Sequence, residues 1–215
     1  WATPPGNLAA TLLVVTGAPV ESVATLGFVA GLALSDALAA VAPGVSASVA
    51  LDGATEGGRT RFALKWPNDV LADGAKLAGI LLEAEKRPDG NAVAVGIGVN
   101  VAHAPEGLPY PATSLAALGA PVSAETLFAA LTDAWVAVSE TWDEGRGFGA
   151  IRQRWLDRAS GLGGPVAVNA GGAVLSGIFE TVDETGRLLV RAADGRLHPV
   201  SAGEVHFGVA ATAVV

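Results

Sequence analysis

The sequence predicts an α+β fold: a mixed, largely antiparallel sheet with helices, followed by a small C-terminal β-barrel. Three observations carry that prediction. Apolar or alternating runs come in pairs, joined by the turns "DGATEGG" and "RPDGN", which is hairpin patterning. Apolar residues recur at helical spacing in residues 22–41 and again after Ser123. From Gly164 onward, short strands are punctuated by "AGG", "DETG" and "ADG", a spacing that suits a barrel of about fifty residues.

Taken in order, "NLAATLLVV" (residues 7–15) reads as a strand. Residues 22–41 read as a buried helix, with Val23, Leu26, Ala30, Ala33, Leu34, Ala37 and Val41 at helical spacing. Its uninterrupted apolar core runs only from Leu26 to Leu34, too short to span a bilayer. "VSASVAL" is expected to pair with "TRFALKW", and "KLAGILLEAE" with "AVAVGIGVNV". A Pro-rich loop, "AHAPEGLPYPATSL", follows. Ser123 is the expected N-cap of a helix with Leu127, Phe128, Leu131, Trp135, Val138 and Trp142 on one face. A second helix holds Ile151, Trp155 and Leu156 and stops at "SGLGG". The expected boundary lies near Ser160, dividing a domain of residues 1–160 from one of residues 161–215.

Composition narrows the class. A chain of 215 residues, half of them hydrophobic, is long enough for one good-sized core and a smaller one. The net charge of −8 argues against nucleic acid or an anionic membrane as main partner. With no cysteine there are no disulfides and no thiolate metal sites, and no structural metal is expected. No charged leader segment is seen, so a cytoplasmic protein is expected. The chain starts at Trp1 and holds no methionine, so further residues are expected upstream.

Chemistry concentrates in "LKWPNDVLADGAKLAGILLE". It holds two of the three lysines, Lys65 and Lys76. Pro67 lacks an amide hydrogen and should end the strand, setting Asn68 and Asp69 at the mouth of the sheet. A turn at "ADGA" should return Lys76 to the neighbourhood of Asp69, while Gly79 permits close approach to the backbone. Singly, each feature is ordinary: Asn-Asp after Trp-Pro makes a turn, and a lysine at a strand start is usually solvated. Together they suit an anionic ligand. A cation between two anions offsets about 4 kcal/mol per pair at ~4 Å and an effective dielectric near 20. Asp69 is of the right type to help hold Mg²⁺ on a nucleotide.

"KWPND", "KLAGIL" and "GIGVN", with an initial "W…PPGNL" and a later "ATSL", occur in the order and near the spacing of one family. The chain resembles the biotin protein ligases over essentially its whole length. The resemblance implies a class II synthetase-like biotin/lipoate ligase fold with an SH3-like barrel. It also implies a two-step reaction: biotin and Mg-ATP give biotinoyl-AMP, and a lysine of the biotin carboxyl carrier domain of acetyl-CoA carboxylase then takes the biotin. By motif, Lys76 is the essential lysine, touching both the biotin carboxylate and the α-phosphate. Gly79, Gly96, Ile97 and Gly98 would line the biotin pocket, with Trp1 at its edge. Lys65, Asn68, Asp69 and Asn100 would serve the nucleotide, with Asp69 on its magnesium. The loop of residues 103–111 would be a mobile cover that excludes water from the adenylate.

The family's Arg- and Gly-rich loop would stand just before Trp1, upstream of these residues. The helix-turn-helix domain of some members is not seen here either. The oligomeric state is left open, a homodimer included. Other signals fail: "GIGVNV" puts Val101 where a dinucleotide fingerprint needs a third glycine, and His103, His198 and His206 lack metal-site spacing. A lipoate or octanoate ligase, and an inactive module binding biotin or an acceptor, are the alternatives.

Overall fold

The computed structural model describes residues 3–43, 45, 62–170 and 173–207. Five strands form the first sheet: β1 (Leu8–Thr16), β2 (Phe62–Lys65), β3 (Asp69–Ala72), β4 (Ala75–Arg87) and β5 (Gly90–Val99). Their order is β1-β5-β4-β3-β2. Every described ladder is antiparallel, and the parallel component reduces to single bridges at Leu64–Ala159 and Lys76–Ala112. The "KLAGILLEAE"–"AVAVGIGVNV" hairpin is present as β4 and β5. For the other expected hairpin, "VSASVAL" lies almost wholly outside the described residues, and its turn entirely so. The described partner of β2 is β3.

One sheet face is covered by helices. Val93, Val95, Ile97 and Val99 of β5 alternate into a core that includes Ile80 and Leu64. Against it lies α2 (Leu26–Val41), buried without interruption from Leu26 to Ser35 because α3 (Ala124–Trp142) packs on its other side. The stretch Val20–Val41 is long and apolar enough to cross a membrane by length and composition, yet most of it is buried within this fold.

The single helix expected over residues 22–41 is broken into α1 (Val20–Val23) and α2. Thr25 sits at the break. Its hydroxyl donates to the Ser22 carbonyl at 2.6 Å and accepts the buried Trp142 indole N–H at 2.8 Å. A threonine side chain that competes for the backbone in this way interrupts a helix. Ser123 caps α3 as expected, its hydroxyl accepting from the Thr126 amide at 3.2 Å. Leu127, Leu131, Val138 and Trp142 face inward, but Phe128 does not: it is 46% exposed. The following α4 (Phe148–Leu156) buries Ile151, Trp155 and Leu156.

The C-terminal strands β6 (Pro165–Ala170), β7 (Ala173–Val182), β8 (Leu188–Arg191), β9 (Leu197–Val200) and β10 (Glu204–Phe207) form an antiparallel sheet ordered β10-β6-β7-β8-β9. Among the described residues no ladder joins β9 to β10, so the part expected to be a barrel is an open five-stranded sheet. It is fastened to the first sheet. Trp66 Nε1 donates to the Gly186 carbonyl at 2.9 Å. The Arg152 guanidinium on α4 donates to the Val182 carbonyl and the Thr181 hydroxyl. The intervening chain runs beside β2: Leu64 N–H donates to the Arg158 carbonyl and Ser160 N–H to the Leu64 carbonyl, both at 2.8 Å.

Candidate active site

Strand β2 ends at Lys65, and a turn through the cis Trp66–Pro67 peptide leads to β3. Asn68 secures this turn to β4. Its carbonyl accepts the Ile80 N–H at 2.8 Å, and its side-chain amide donates to the Ile80 carbonyl at 2.7 Å. The β3–β4 connection is a two-residue turn with Asp73 at φ 50° and Gly74 at φ 81°. Positive φ at both central positions is the Asp-Gly hairpin geometry. It starts β4 close to β3, and an irregularity at Val70/Leu71 shifts the register.

Lys76 consequently returns to β3, and its Nζ lies 2.6 Å from Asp69 Oδ1. The side chains are 22% and 15% exposed, so the pair is shielded but still reached by solvent. Lys65, Asp69, Gly79, Gly98 and Ala9 are paired in one row across five strands. Directly paired residues share a face, so two charged side chains adjoin a strip with almost no side chains. Gly96, paired with Leu81 and Thr11, extends that strip. Ile97 is opposite in orientation: it pairs with Ile80 and is 5% exposed in the helix-backed core, leaving its backbone to the strip.

Burial pushes the Lys65 ammonium below the ordinary lysine range, against the pull of Asp69 and with a smaller push from Lys76. Glu204, from β10 of the second sheet, also acts to raise it. Asn100 is 4% exposed. Its side-chain amide donates to the Thr113 carbonyl at 3.0 Å, with a weaker contact to the Lys76 carbonyl at 3.5 Å. In this position it holds the loop after β5 against β4.

That loop pairs with Lys76 itself. Lys76 N–H donates to the Pro111 carbonyl at 2.9 Å, and Thr113 N–H donates to the Lys76 carbonyl at 3.0 Å. The Tyr110 ring lies over the ammonium, its centroid 5.6 Å from Nζ. Tyr110 was within the loop that the sequence marks as a cover, but nothing local singled it out beyond the prolines on either side.

A cavity of about 660 Å³ opens here, lined in part by Lys65, Asn68, Asp69, Lys76, Tyr110 and His206. Gly79, Gly96, Ile97, Gly98 and Asn100 do not line it. The glycines belong to the adjoining face, Ile97 to the core and Asn100 to the support of the loop. Trp1 lies outside the described residues. The contribution of β10 was not legible in sequence, because that strand begins at Glu204, far along the chain from Lys65 to Lys76, and carries no local signal. Among the described residues no group of three or more metal-ligating side chains occurs. Asp69 and, from β10, Glu204 are carboxylates that line the cavity. Chemically, the cavity offers fixed positive charge and a carboxylate beside a bare sheet face, which suits joining two anionic groups.

Residues 1–100 match the Biotin/lipoate A/B protein ligase family, and residues 161–208 match the Biotin protein ligase C terminal domain. The biotin–[acetyl-CoA-carboxylase] ligase of Paracoccus denitrificans is 40% identical over 97% of this chain and 83% of its own length. The Mycobacterium tuberculosis ligase of the same name is 36% identical over 89% of this chain and 65% of its own length. In fold, the chain resembles biotin protein ligase from Aquifex aeolicus in complex with biotin and ATP. The TM-score is 0.73 at 22% identity, covering 97% of this chain and 81% of that one.

Proposed function

This chain belongs to the biotin protein ligase family, and from that premise we infer that it activates biotin with ATP and passes it to a lysine of a biotin carboxyl carrier domain. The observation that carries the site is the Lys76–Asp69 pair, held at 2.6 Å beside the glycine strip. In the first step the biotin carboxylate attacks the α-phosphorus of ATP; a carbon–oxygen–phosphorus anhydride forms and pyrophosphate leaves. In the second, the neutral amine of the acceptor lysine attacks the acyl carbon, an amide forms, and AMP leaves.

Lys76 faces two anions in the first step. Its charge offsets their repulsion and the negative charge that grows on the α-phosphoryl oxygens. The strip of Gly79, Gly96 and Gly98, with the backbone of Ile97, accepts the biotin rings between the Leu81 and Thr11 side chains that flank Gly96. Trp1 borders it. Lys65 and Asn68 serve the nucleotide, and Asn100 acts by fixing the loop that covers it. Magnesium enters as part of Mg-ATP, and Asp69 is the carboxylate that would help hold it, with Glu204 lining the same cavity. Residues 161–215 are read as a domain of their own after residues 1–160, with β6 to β10 the strands that an SH3-like barrel would use. A cytoplasmic location belongs to the same reading.

Substrate-dependent ATP–pyrophosphate exchange tests this reading. Biotin should support exchange, and lipoate and octanoate should not. The matched family includes lipoate ligases, so exchange with lipoate or octanoate alone would transfer the chain to that branch. Absence of exchange with all three acids would reduce it to a binding module.

A further inference from the structure

We propose that Tyr110 is a positioning residue for Lys76, its ring seating the ammonium at the mouth of the cavity. The proposal rests on the reading of Lys76 as the charge that meets the two reacting anions. A lysine stem is long and flexible, so a charge used for transition-state stabilisation must be held in place by its surroundings. Asp69 supplies one hold, at 2.6 Å. That hold is an anion, and it competes with and repels the carboxylate and phosphate that must approach the same ammonium.

The ring supplies a different hold. Its centroid is 5.6 Å from Nζ, inside the distance at which an aromatic face attracts a cation. It carries no net charge, so it retains the ammonium without opposing incoming anions. As substrate anions loosen the pair with Asp69, the contact with Tyr110 survives.

The placement of the ring is built into the chain. Tyr110 stands between Pro109, whose own φ is fixed, and Pro111, which pushes the Tyr110 backbone toward an extended conformation. The next carbonyl, that of Pro111, accepts the Lys76 N–H at 2.9 Å, and the Lys76 carbonyl accepts the Thr113 N–H at 3.0 Å. Asn100 fixes the Thr113 carbonyl at 3.0 Å. The residue whose side chain the ring covers thus sets, through its own backbone, the register of the loop that carries the ring.

The test uses the full-length protein and a stable biotinoyl-adenylate analogue with a sulfamate in place of the phosphate. Its affinity is measured for wild type, Tyr110→Phe, Tyr110→Leu, Lys76→Gln and the Tyr110→Leu/Lys76→Gln pair. Phe keeps the aromatic face and should bind within about twofold of wild type, while Leu should weaken binding about fivefold. Because the ring acts through Lys76, adding Tyr110→Leu to Lys76→Gln should cost nothing further. Unfolding midpoints should be alike, since Tyr110 is 41% exposed. A fivefold loss that persists in the Lys76→Gln background would overturn the proposal, because the ring would then be touching the ligand. Equal losses for Phe and Leu, or no loss for Leu, would overturn it too. Wild-type affinity in Lys76→Gln alone would instead remove the underlying reading of Lys76.

Discussion

Lys76 Nζ and Asp69 Oδ1 meet at 2.6 Å across the β3–β4 hairpin, and both remain partly open to solvent. The pair keeps a cation at the cavity mouth when no substrate is there to neutralise it. It also leaves the ammonium available, because a partly solvated ion pair contributes little net stability and is readily exchanged for another anion.

Lys76→Ala should therefore fold and fail to adenylate. We expect biotin-dependent ATP–pyrophosphate exchange to fall by about two to three orders of magnitude, the scale of losing one preorganised charge-stabilising group. The circular dichroism spectrum should not change. Undiminished exchange would remove Lys76 from the mechanism.

Gly96→Ala separates packing from binding. A Cβ at Gly96 would lie 3.6 Å from the Leu81 carbonyl oxygen and 3.7 Å from its Cβ, ordinary contact distances. The unfolding midpoint should stay within a degree or two of wild type, while the added methyl intrudes on the bare strip. The KM for biotin should rise about tenfold, the scale of one misplaced methyl in an apolar pocket. An unchanged KM would place biotin elsewhere.

Lys65 makes a prediction about pH. Its folded pKa is lowered, chiefly by burial. Between the folded and unfolded pKa values the unfolded chain holds more protons, so stability rises with pH through that window. Below the window the cost of burying the charge is fully present. Lys65→Met should raise the unfolding midpoint at neutral pH, and its advantage should shrink as pH climbs toward about 10.4. An advantage that does not depend on pH would point to packing instead.

Trp66→Phe removes the N–H that reaches the Gly186 carbonyl at 2.9 Å, from an indole only 1% exposed. A loss of about 2 kcal/mol in urea unfolding is expected, combining an unmade hydrogen bond with a small void. A loss near zero would show that water replaces the donor.

Much of this architecture could be read directly from residue patterns. The β4–β5 hairpin follows from alternation around "RPDGN", and the Ser123 cap from a hydroxyl residue ahead of an apolar stripe. The return of Lys76 to Asp69 follows from "ADGA". These features depend on neighbours within a few residues. The break at Thr25 did not show, because the hydroxyl that bonds the Ser22 carbonyl is held there by the Trp142 indole, 117 positions away. Phe128 lay at the right helical spacing for burial, yet it borders an open groove beside β1 and β5 and stays 46% exposed. The roles of Tyr110 and His206 at the cavity depend on which loop and which strand the fold brings there, and nothing adjacent in the chain encodes that.

The segment between the two sheets has a consequence for engineering. Composition changes near Ser160 as though two modules were joined by a tether. In the fold, Arg158 and Ser160 grip Leu64 from both sides, one residue before Lys65. A chimera cut at Ser160 would exchange the second sheet and disturb a rail on which the cavity-lining Lys65 rests. Grafts that transplant residues 62–69 together with everything after 157 should be the ones that assemble.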